Sequence, residues 1–495
     1  MQKTLFDVEE KTINDIFSPQ SYTGVYGFHK YWGKKPIESI TYFIQKYTEK
    51  GDIVLDPFLG SGFICEESLK WDRKFIGIDI NPFSIEHTTF LLNLPSYKEY
   101  SDAINDIKIN IQDKINNSYC MVDNSVASHY LWENEKLKKV WLKGENGRSR
   151  IEVEPSDFDI ENINKYEDYQ IKYIRNIKFF TNSRINTKPS LSFYDLFTKR
   201  ALRNMELIIT EINKYPENLK RALFITLTSS SGQMSNMVFA ITNRGKTKNK
   251  INDKIEVGSW VIGYWRPSLH FEINVWNCFE GKAKKLIKVL KERKNSNYMI
   301  YNKINSLLEN GNGCYLDNNN CIDSIKNIPD NSIQLICTDP PHSDRIPYLE
   351  LSEMWNAILN KEVCFENEII VSNAKERKKD KTSYFQEMSL LIKECNRILK
   401  DDGIFILYFN ARDKESWKFL NLLNEYSTLE FTGAFPMEYS AKSVVQDNRA
   451  GGLKQDYVLV MKHKHSNNIN KEYFYNIPGW VEELPVKEME AVYGK

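Results

Sequence analysis

Histidine is scarce in this 495-residue chain: seven copies, with no H-x-x-x-H or H-E-x-x-H pair. That removes the helical zinc-hydrolase signatures. The eight cysteines, at positions 65, 120, 278, 314, 321, 337, 364 and 395, form no C-x-x-C pair. Such scatter fits reduced thiols in a cytoplasm and argues against a disulfide framework or an ordinary zinc ribbon. No run approaches roughly 18 consecutive apolar residues, so no membrane span is expected. The opening "MQKTLFDVEEKT" is too acidic for a signal peptide. Excess charge of one sign is missing as well, since 67 Lys+Arg face 66 Asp+Glu. That balance neither supports nor excludes a polyanionic partner, because it can hide a basic face. What is present is 41% hydrophobic, 13% aromatic and 27% charged residues, a globular composition with ample core. The length suggests roughly two to four domains.

Strand and helix patterns alternate at both ends of the chain. "DIVL" reads as a short strand, "DPFLGSG" as a glycine-bearing loop, and Phe63 to Lys70 as an amphipathic helix. The strand "KFIGIDI" follows, with Asp79 near its carboxyl end. From about residue 100 to 310 the rhythm is lost. That stretch holds a hairpin candidate ("VWLKGENGRSRIEVE", turning at Glu145-Asn146-Gly147), two helical stretches, the basic "NRGKTKNKINDK", the aromatic "GSWVIGYWRPSLHFEINVW" and the basic helix "GKAKKLIKVLKERK". The alternation resumes at "IPDNSIQLICTDPPH". It continues through a helix around "YFQEMSLLIKECNRILK", a turn at Asp401-Asp402-Gly403, the strand "IFILYF", a helix "KESWKFLNLL" and a strand "DYVLVMKH". Alternating strands and helices imply an α/β fold with a mostly parallel, doubly wound sheet. The expected organisation is one discontinuous domain, residues 25–100 and 310–465, with a large mixed α+β insertion at 101–309. Residues 1–24 precede it and a tail at 466–495 follows.

In open α/β sheets ligands bind beyond the carboxyl ends of the strands, and glycines let the backbone approach them. An acid ending the next strand can accept hydrogen bonds from both hydroxyls of a ribose. The third glycine of a dinucleotide fingerprint is missing, because Cys65 occupies that place. A carboxylate just before the glycines suits a cationic amino group or sulfonium better than a pyrophosphate. The pattern therefore points to S-adenosylmethionine.

"HKYWGKKPIESI…GDIVLDPFLGSG…RKFIGIDIN", followed later by "IPDNSIQLICTDPPH" and "RILKDDGIFILYF", resembles the amino-methylating DNA methyltransferases, which act at adenine N6 or cytosine N4. "DLFTKRAL" and "YWRPSLHFEINVW" resemble the subgroup whose cofactor loop precedes its D-P-P motif, a subgroup that frequently carries a zinc ribbon. About two thirds of the chain has a counterpart. The resemblance implies a Rossmann-like methyltransferase sheet and S-adenosylmethionine as cofactor. It implies cofactor contacts from Lys35, Pro36, Asp56, Pro57, Phe58, Gly60, Ser61, Gly62, Asp79, Ile80 and Asn320. It places the reaction at Asp339, Pro340, Pro341 and His342. There are departures: His342 replaces an aromatic residue, Phe63 a threonine, and Asn320 an aspartate that contacts the cofactor adenine. No cysteines stand where the ribbon would be, so no structural metal is expected.

The chemistry explains the motif. An exocyclic amine is a poor nucleophile because its lone pair is delocalised into the ring. Two acceptors fixed in a proline-locked turn, the Asp339 carboxylate and the Pro340 carbonyl, can free and aim that lone pair. The base must leave the duplex, and flipped bases are held between flat side chains. A stacking or pocket-lining role for His342 therefore stands ahead of an acid/base role, and no partner motif supports a metal ligand.

The insertion is expected to read double-stranded DNA. Its candidate contacts are Arg244, Lys246, Lys248, Trp265, Arg266, Lys284 and Lys285, with Lys378 in a second basic stretch, "KERKKDK". "SSSGQMSN" (229–236) is a candidate loop, supplying hydrogen-bonding groups or simply ending a helix. The reading is a site-specific DNA methyltransferase of bacterial or phage type. Adenine N6 is favoured over cytosine N4 because Asp opens the motif. The competing readings are an RNA or protein amide methyltransferase and a catalytically decayed DNA-binding subunit. No convincing nuclease signature is present, so any restriction or defence partner would be a separate chain.

Overall fold

The computed structural model describes residues 22–144, 149–242, 255–260, 262–293, 297–342, 346–409, 419–438 and 455–466. The sheet that carries the motifs begins with β1 (Ile53–Asp56) and β2 (Lys74–Ile78). The insertion adds β3 (Ala127–Glu133), β4 (Lys136–Lys143), β5 (Arg150–Val153), β6 (Val238–Ile241), β7 (Glu256–Val257) and β8 (Leu269–Ile273). Next come β9 (Ile300–Tyr301), β10 (Cys314–Asp317), β11 (Ile333–Thr338), β12 (Leu399–Phe409), β13 (Leu429–Glu438) and β14 (Gln455–His463).

Eight strands form one sheet in the order β13-β14-β12-β11-β1-β2-β10-β9. All pairings from β12 across to β9 are parallel, while β14 runs antiparallel to both β12 and β13. Both faces are covered, which is why the strands read as continuous apolar runs. On β12 the alternation sends Ile404, Ile406 and Tyr408 into one apolar cluster and Phe405, Leu407 and Phe409 into another. The first cluster continues without a break into the inserted helices through Leu202, Met205, Leu223 and Phe279. The inserted strands make a second, antiparallel sheet, ordered β5-β4-β3-β8-β6-β7.

Inside the insertion Arg200 and Glu272 form a fully buried pair, Nε to Oε1 at 3.0 Å and an amino nitrogen to Oε2 at 3.0 Å. The guanidinium lies over the rings of both Tyr119 and Tyr130, each 4.4 Å away, and donates to the Ser118 carbonyl at 2.9 Å. A planar cation with delocalised charge tolerates such a site where an ammonium would not.

Several expectations need correction. Residues 229–234 are not a loop, because the helix Glu217–Met234 runs through them. Two of its serines bond back to their own helix, Ser230 Oγ donating to Thr226 O at 3.1 Å and Ser231 Oγ to Thr228 O at 2.7 Å, while Ser229 Oγ donates to the Phe28 carbonyl at 3.0 Å. The turn expected at Asp401-Asp402-Gly403 lies within β12, where pairing with β11 slips between Ile333 and Leu335. The slip absorbs the extra residues without ending the strand. The helix Tyr97–Asn116 falls where no regular element was expected. It is opened by a capping box between Ser96 and Glu99 and buries Tyr100, Ile104, Ile107, Ile111 and Ile115 on one stripe. The hairpin is present as β4 and β5, while its turn residues 145–147 lie outside the described residues.

Candidate active site

β1 and β11 are parallel neighbours, so Asp56 and Asp339 leave the sheet side by side. A hydrogen bond joins the two loops: Thr338 Oγ1 donates to Asp56 Oδ1 at 2.7 Å across 282 residues of sequence. Asp56 also accepts from its own Phe58 N–H at 3.0 Å, which turns the loop over the strand end. Gly62 has φ +77 and caps the helix Phe63–Lys70. A Cβ there would lie 2.2 Å from Thr88 Oγ1, so only glycine permits this closeness to the helix Pro82–Leu92. Asp79, just beyond β2, accepts from Gly60 N at 2.7 Å and Asn81 N at 2.8 Å.

Burial raises both acids. Asp56 is pushed up to about 7, with the Asp339 and Asp79 charges adding to the effect and the Thr338 and Phe58 bonds opposing it. Asp79 is pushed up to about 6, against the pull of the Asn81 and Gly60 N–H groups.

These loops border one pocket. It is lined by Lys35, Asp56, Phe58, Gly60, Ser61, Asp79, Ile80, Asp339 and Pro341 among the expected residues, and also by Tyr31, Gly33, Tyr348 and Glu368. Pro36, Pro57, Gly62, Asn320, Pro340 and His342 do not line it. Pro36 precedes the helix Ile37–Tyr47 as its cap, and Gly62 acts through packing. Asn320 is committed elsewhere: its Oδ1 accepts from Ile322 N at 2.8 Å and its Nδ2 donates to the Asn367 carbonyl at 2.8 Å.

The Lys35 ammonium stands between two carboxylates, Asp456 Oδ2 at 2.7 Å and Asp339 Oδ2 at 3.0 Å. Asp456 is 1% exposed, so its charge is held in the interior against this lysine. The other Asp339 oxygen, Oδ1, is buried and accepts no hydrogen bond among the described residues. His342 Nε2 is 3.0 Å from it, but it also lies 3.1 Å from the Tyr408 carbonyl, and that contact takes the hydrogen-bond alignment. The His342 ring is buried edge-on to Phe409, with centroids 5.1 Å apart. The D-P-P turn is held from below by Tyr384, whose hydroxyl donates to the Pro341 carbonyl at 2.7 Å.

Another charged group, Glu368, borders the pocket. Glu368 is 2.6 Å from an Arg377 nitrogen, and Arg377 also reaches Glu350 at 2.9 Å. The stretch 375–381 is therefore split: Arg377 is buried in ion pairs while Lys378 is exposed at φ +53. Of the other proposed DNA contacts, Trp265 is 39% exposed, Arg266 pairs with Glu135, Lys284 pairs with Glu280 at 2.6 Å, and Lys285 is exposed. Arg244, Lys246 and Lys248 lie outside the described residues. Among the described residues no helix is long and apolar enough to cross a membrane, and no group of three or more His, Cys, Asp or Glu is placed to hold a metal ion.

Sequence reasoning missed Tyr31, Gly33, Tyr348, Glu368 and Asp456. The first two sit inside "HKYWGKK", where an aromatic residue and a glycine beside the cofactor lysine were the available signal. Asp456 gave none, because its partner Lys35 is 421 residues away.

The fold and the paired loops are compatible with a methyltransferase, and sequence comparison agrees. Residues 3–91 match the family model described as DNA methylase, which bears out the resemblance read from the motifs. Two relatives are similar over short stretches of this chain. The Type II methyltransferase M.MjaII of Methanocaldococcus jannaschii is 34% identical over 84 residues, 17% of this chain and 16% of the relative. YubD of Escherichia coli, which carries the name of a methylase, is 43% identical over 47 residues, 10% of this chain and 21% of the relative. The matches thus span less than a quarter of either relative's length.

Proposed function

We propose that this protein is an S-adenosylmethionine-dependent DNA methyltransferase that modifies the exocyclic amine of a flipped base. The observation that carries the reading is the Thr338–Asp56 bond, which sets the glycine loop and the D-P-P turn on one pocket with Asp339 Oδ1 lacking a hydrogen-bond donor among the described residues. The parallel order of the central strands supports a Rossmann-like methyltransferase sheet. The same reading keeps residues 25–100 and 310–465 as the catalytic domain and 101–309 as the target-recognition region.

The pocket fits the cofactor in chemistry. Its glycine backbone closes where a Cβ would collide, and two carboxylates, Asp56 and Asp79, face a ligand that carries cationic groups and ribose hydroxyls. When bound, the cofactor supplies a methyl carbon made electrophilic by its sulfonium. The protein's part is to aim the amine. Asp339 Oδ1 accepts one amine hydrogen and the Pro340 carbonyl the other, drawing the lone pair out of conjugation. Positioning of this kind is worth on the order of several kcal/mol. Asp339 then takes up the proton released, a general-base contribution of roughly 10²–10⁴-fold. Lys35 holds that carboxylate in place from its Oδ2 side.

Adenine N6 is favoured over cytosine N4 by the motif's opening Asp, and a restriction or defence partner would be a separate chain. One observation favours a second reading, a silent DNA-binding subunit: both Asp339 oxygens lie 3.0 Å from a basic side chain. Incubation with labelled cofactor and unmethylated genomic DNA, followed by nucleoside mass spectrometry, tests the choice. N6-methyladenine supports the proposal, N4-methylcytosine shifts the target base, and cofactor binding without transfer supports the silent subunit.

A further inference from the structure

We infer that Tyr348 supplies the flat face against which the target base rests, a job that the fourth motif position, His342, does not do in this fold. The inference rests on the methyltransferase reading above and concerns which residue holds the substrate. His342 is buried against Phe409 with Nε2 turned to the Tyr408 carbonyl, so its ring faces are not part of the pocket wall. Tyr348, six residues further on, opens the helix Tyr348–Ile358 and lines the same pocket as Asp339 and Pro341.

Gly33 makes room for it. A Cβ at Gly33 would stand 2.7 Å from the Tyr348 hydroxyl oxygen and 3.8 Å from Asp339 Oδ2, so the phenol and the amine-accepting carboxylate flank the same glycine. Tyr31 lies beside Tyr348 on the same pocket, nearly parallel to it, with centroids 6.1 Å apart and planes 20° apart. Tyr31 is anchored on the cofactor side: its hydroxyl meets Ser84 Oγ at 3.0 Å, and its ring edge is the first atom a Cβ on Gly60 would touch, at 3.4 Å. The pocket therefore has one aromatic wall fixed beside the cofactor loop and another beside Asp339. The second is half-buried, as a stacking surface must be to stay reachable. Every base has a π face, so such a wall holds a flipped base whatever its identity.

The test is steady-state transfer of a tritiated methyl group from S-adenosylmethionine to unmethylated genomic DNA, with cofactor affinity measured separately. Tyr348→Phe should keep kcat/KM for DNA within about threefold of wild type, whereas Tyr348→Ala should lose roughly 5- to 150-fold, the cost of one base–aromatic stack. Tyr348→Leu, which keeps apolar volume, should fall with the alanine variant, and cofactor affinity should hold in all three. Tyr348→Ala at wild-type kcat/KM, or Tyr348→Phe as impaired as Tyr348→Ala, overturns the assignment alone. Absence of transfer by the wild type to any DNA overturns the assignment and the methyltransferase reading together.

Discussion

Cofactor binding should release protons in mildly acidic solution, and Asp56 sets the size of the effect. Burial holds the Asp56 carboxyl at about 7 and Asp79 at about 6, against an ordinary value of 3.8. Between about pH 4 and 7 the folded protein therefore binds more protons than the unfolded chain, so the free protein loses stability as pH rises. For Asp56 the displacement is 7 − 3.8 = 3.2 units, roughly 4 kcal/mol across the window. A ligand with cationic sulfonium and amino groups reverses the preference, because it favours both carboxylates ionised. Well below pH 7 each unit then weakens binding about tenfold through Asp56 alone, and the loss between pH 7 and pH 5 is about 50-fold because half of the carboxyls are already protonated at pH 7. Isothermal titration of S-adenosylmethionine at pH 6, in buffers of different ionisation enthalpy, should register release of about one proton per site. Asp56→Asn should remove most of that release. An affinity constant from pH 5 to 8, with no proton released, would refute the reasoning.

Three further perturbations follow from the geometry. Gly62→Ala forces a Cβ into Thr88 at a position of positive φ, and should lower both thermal stability and cofactor affinity, read by melting with and without cofactor. Glu272→Gln leaves the Arg200 charge buried without its counter-ion and should cost about 3–5 kcal/mol in denaturant unfolding; a change under about 1 kcal/mol would mean the pair is not desolvated. Asp456→Asn removes the charge that shares Lys35 with Asp339. It should lower kcat by roughly 10- to 100-fold, the worth of a charged hydrogen bond, while KM for the cofactor changes little. Equal losses in both constants would place Lys35 and Asp456 in cofactor binding instead.

The central sheet was legible because β1, β2, β11, β12 and β14 are apolar runs bounded by turn residues, and two of them end in recognisable motifs. The edges were not. β9 has two residues, too short for any periodicity, β10 buries only the first of its four residues, and β13 spends a proline, Pro436, at the sheet's edge. The helix Tyr97–Asn116 carried a readable stripe and a capping box, but its many polar residues masked them. At the site, residues carried by contiguous motifs, Asp56, Asp79, Asp339 and Lys35, line one pocket. Residues whose role depends on distant partners were not found. Tyr348 matters because Gly33 lacks a side chain, and Asp456 because Lys35 folds onto it. Asn320 was drawn toward the cofactor by position in the motif, yet its amide is spent on a helix cap and on Asn367.

The most direct test of the central claim compares wild type and Asp339→Ala side by side. Both are incubated with labelled S-adenosylmethionine and unmethylated genomic DNA, and the digested nucleosides are resolved by mass spectrometry. The account predicts a methylated amino base, N6-methyladenine foremost, from the wild type, and none from Asp339→Ala despite retained cofactor binding. Equal methylation by both proteins would contradict it.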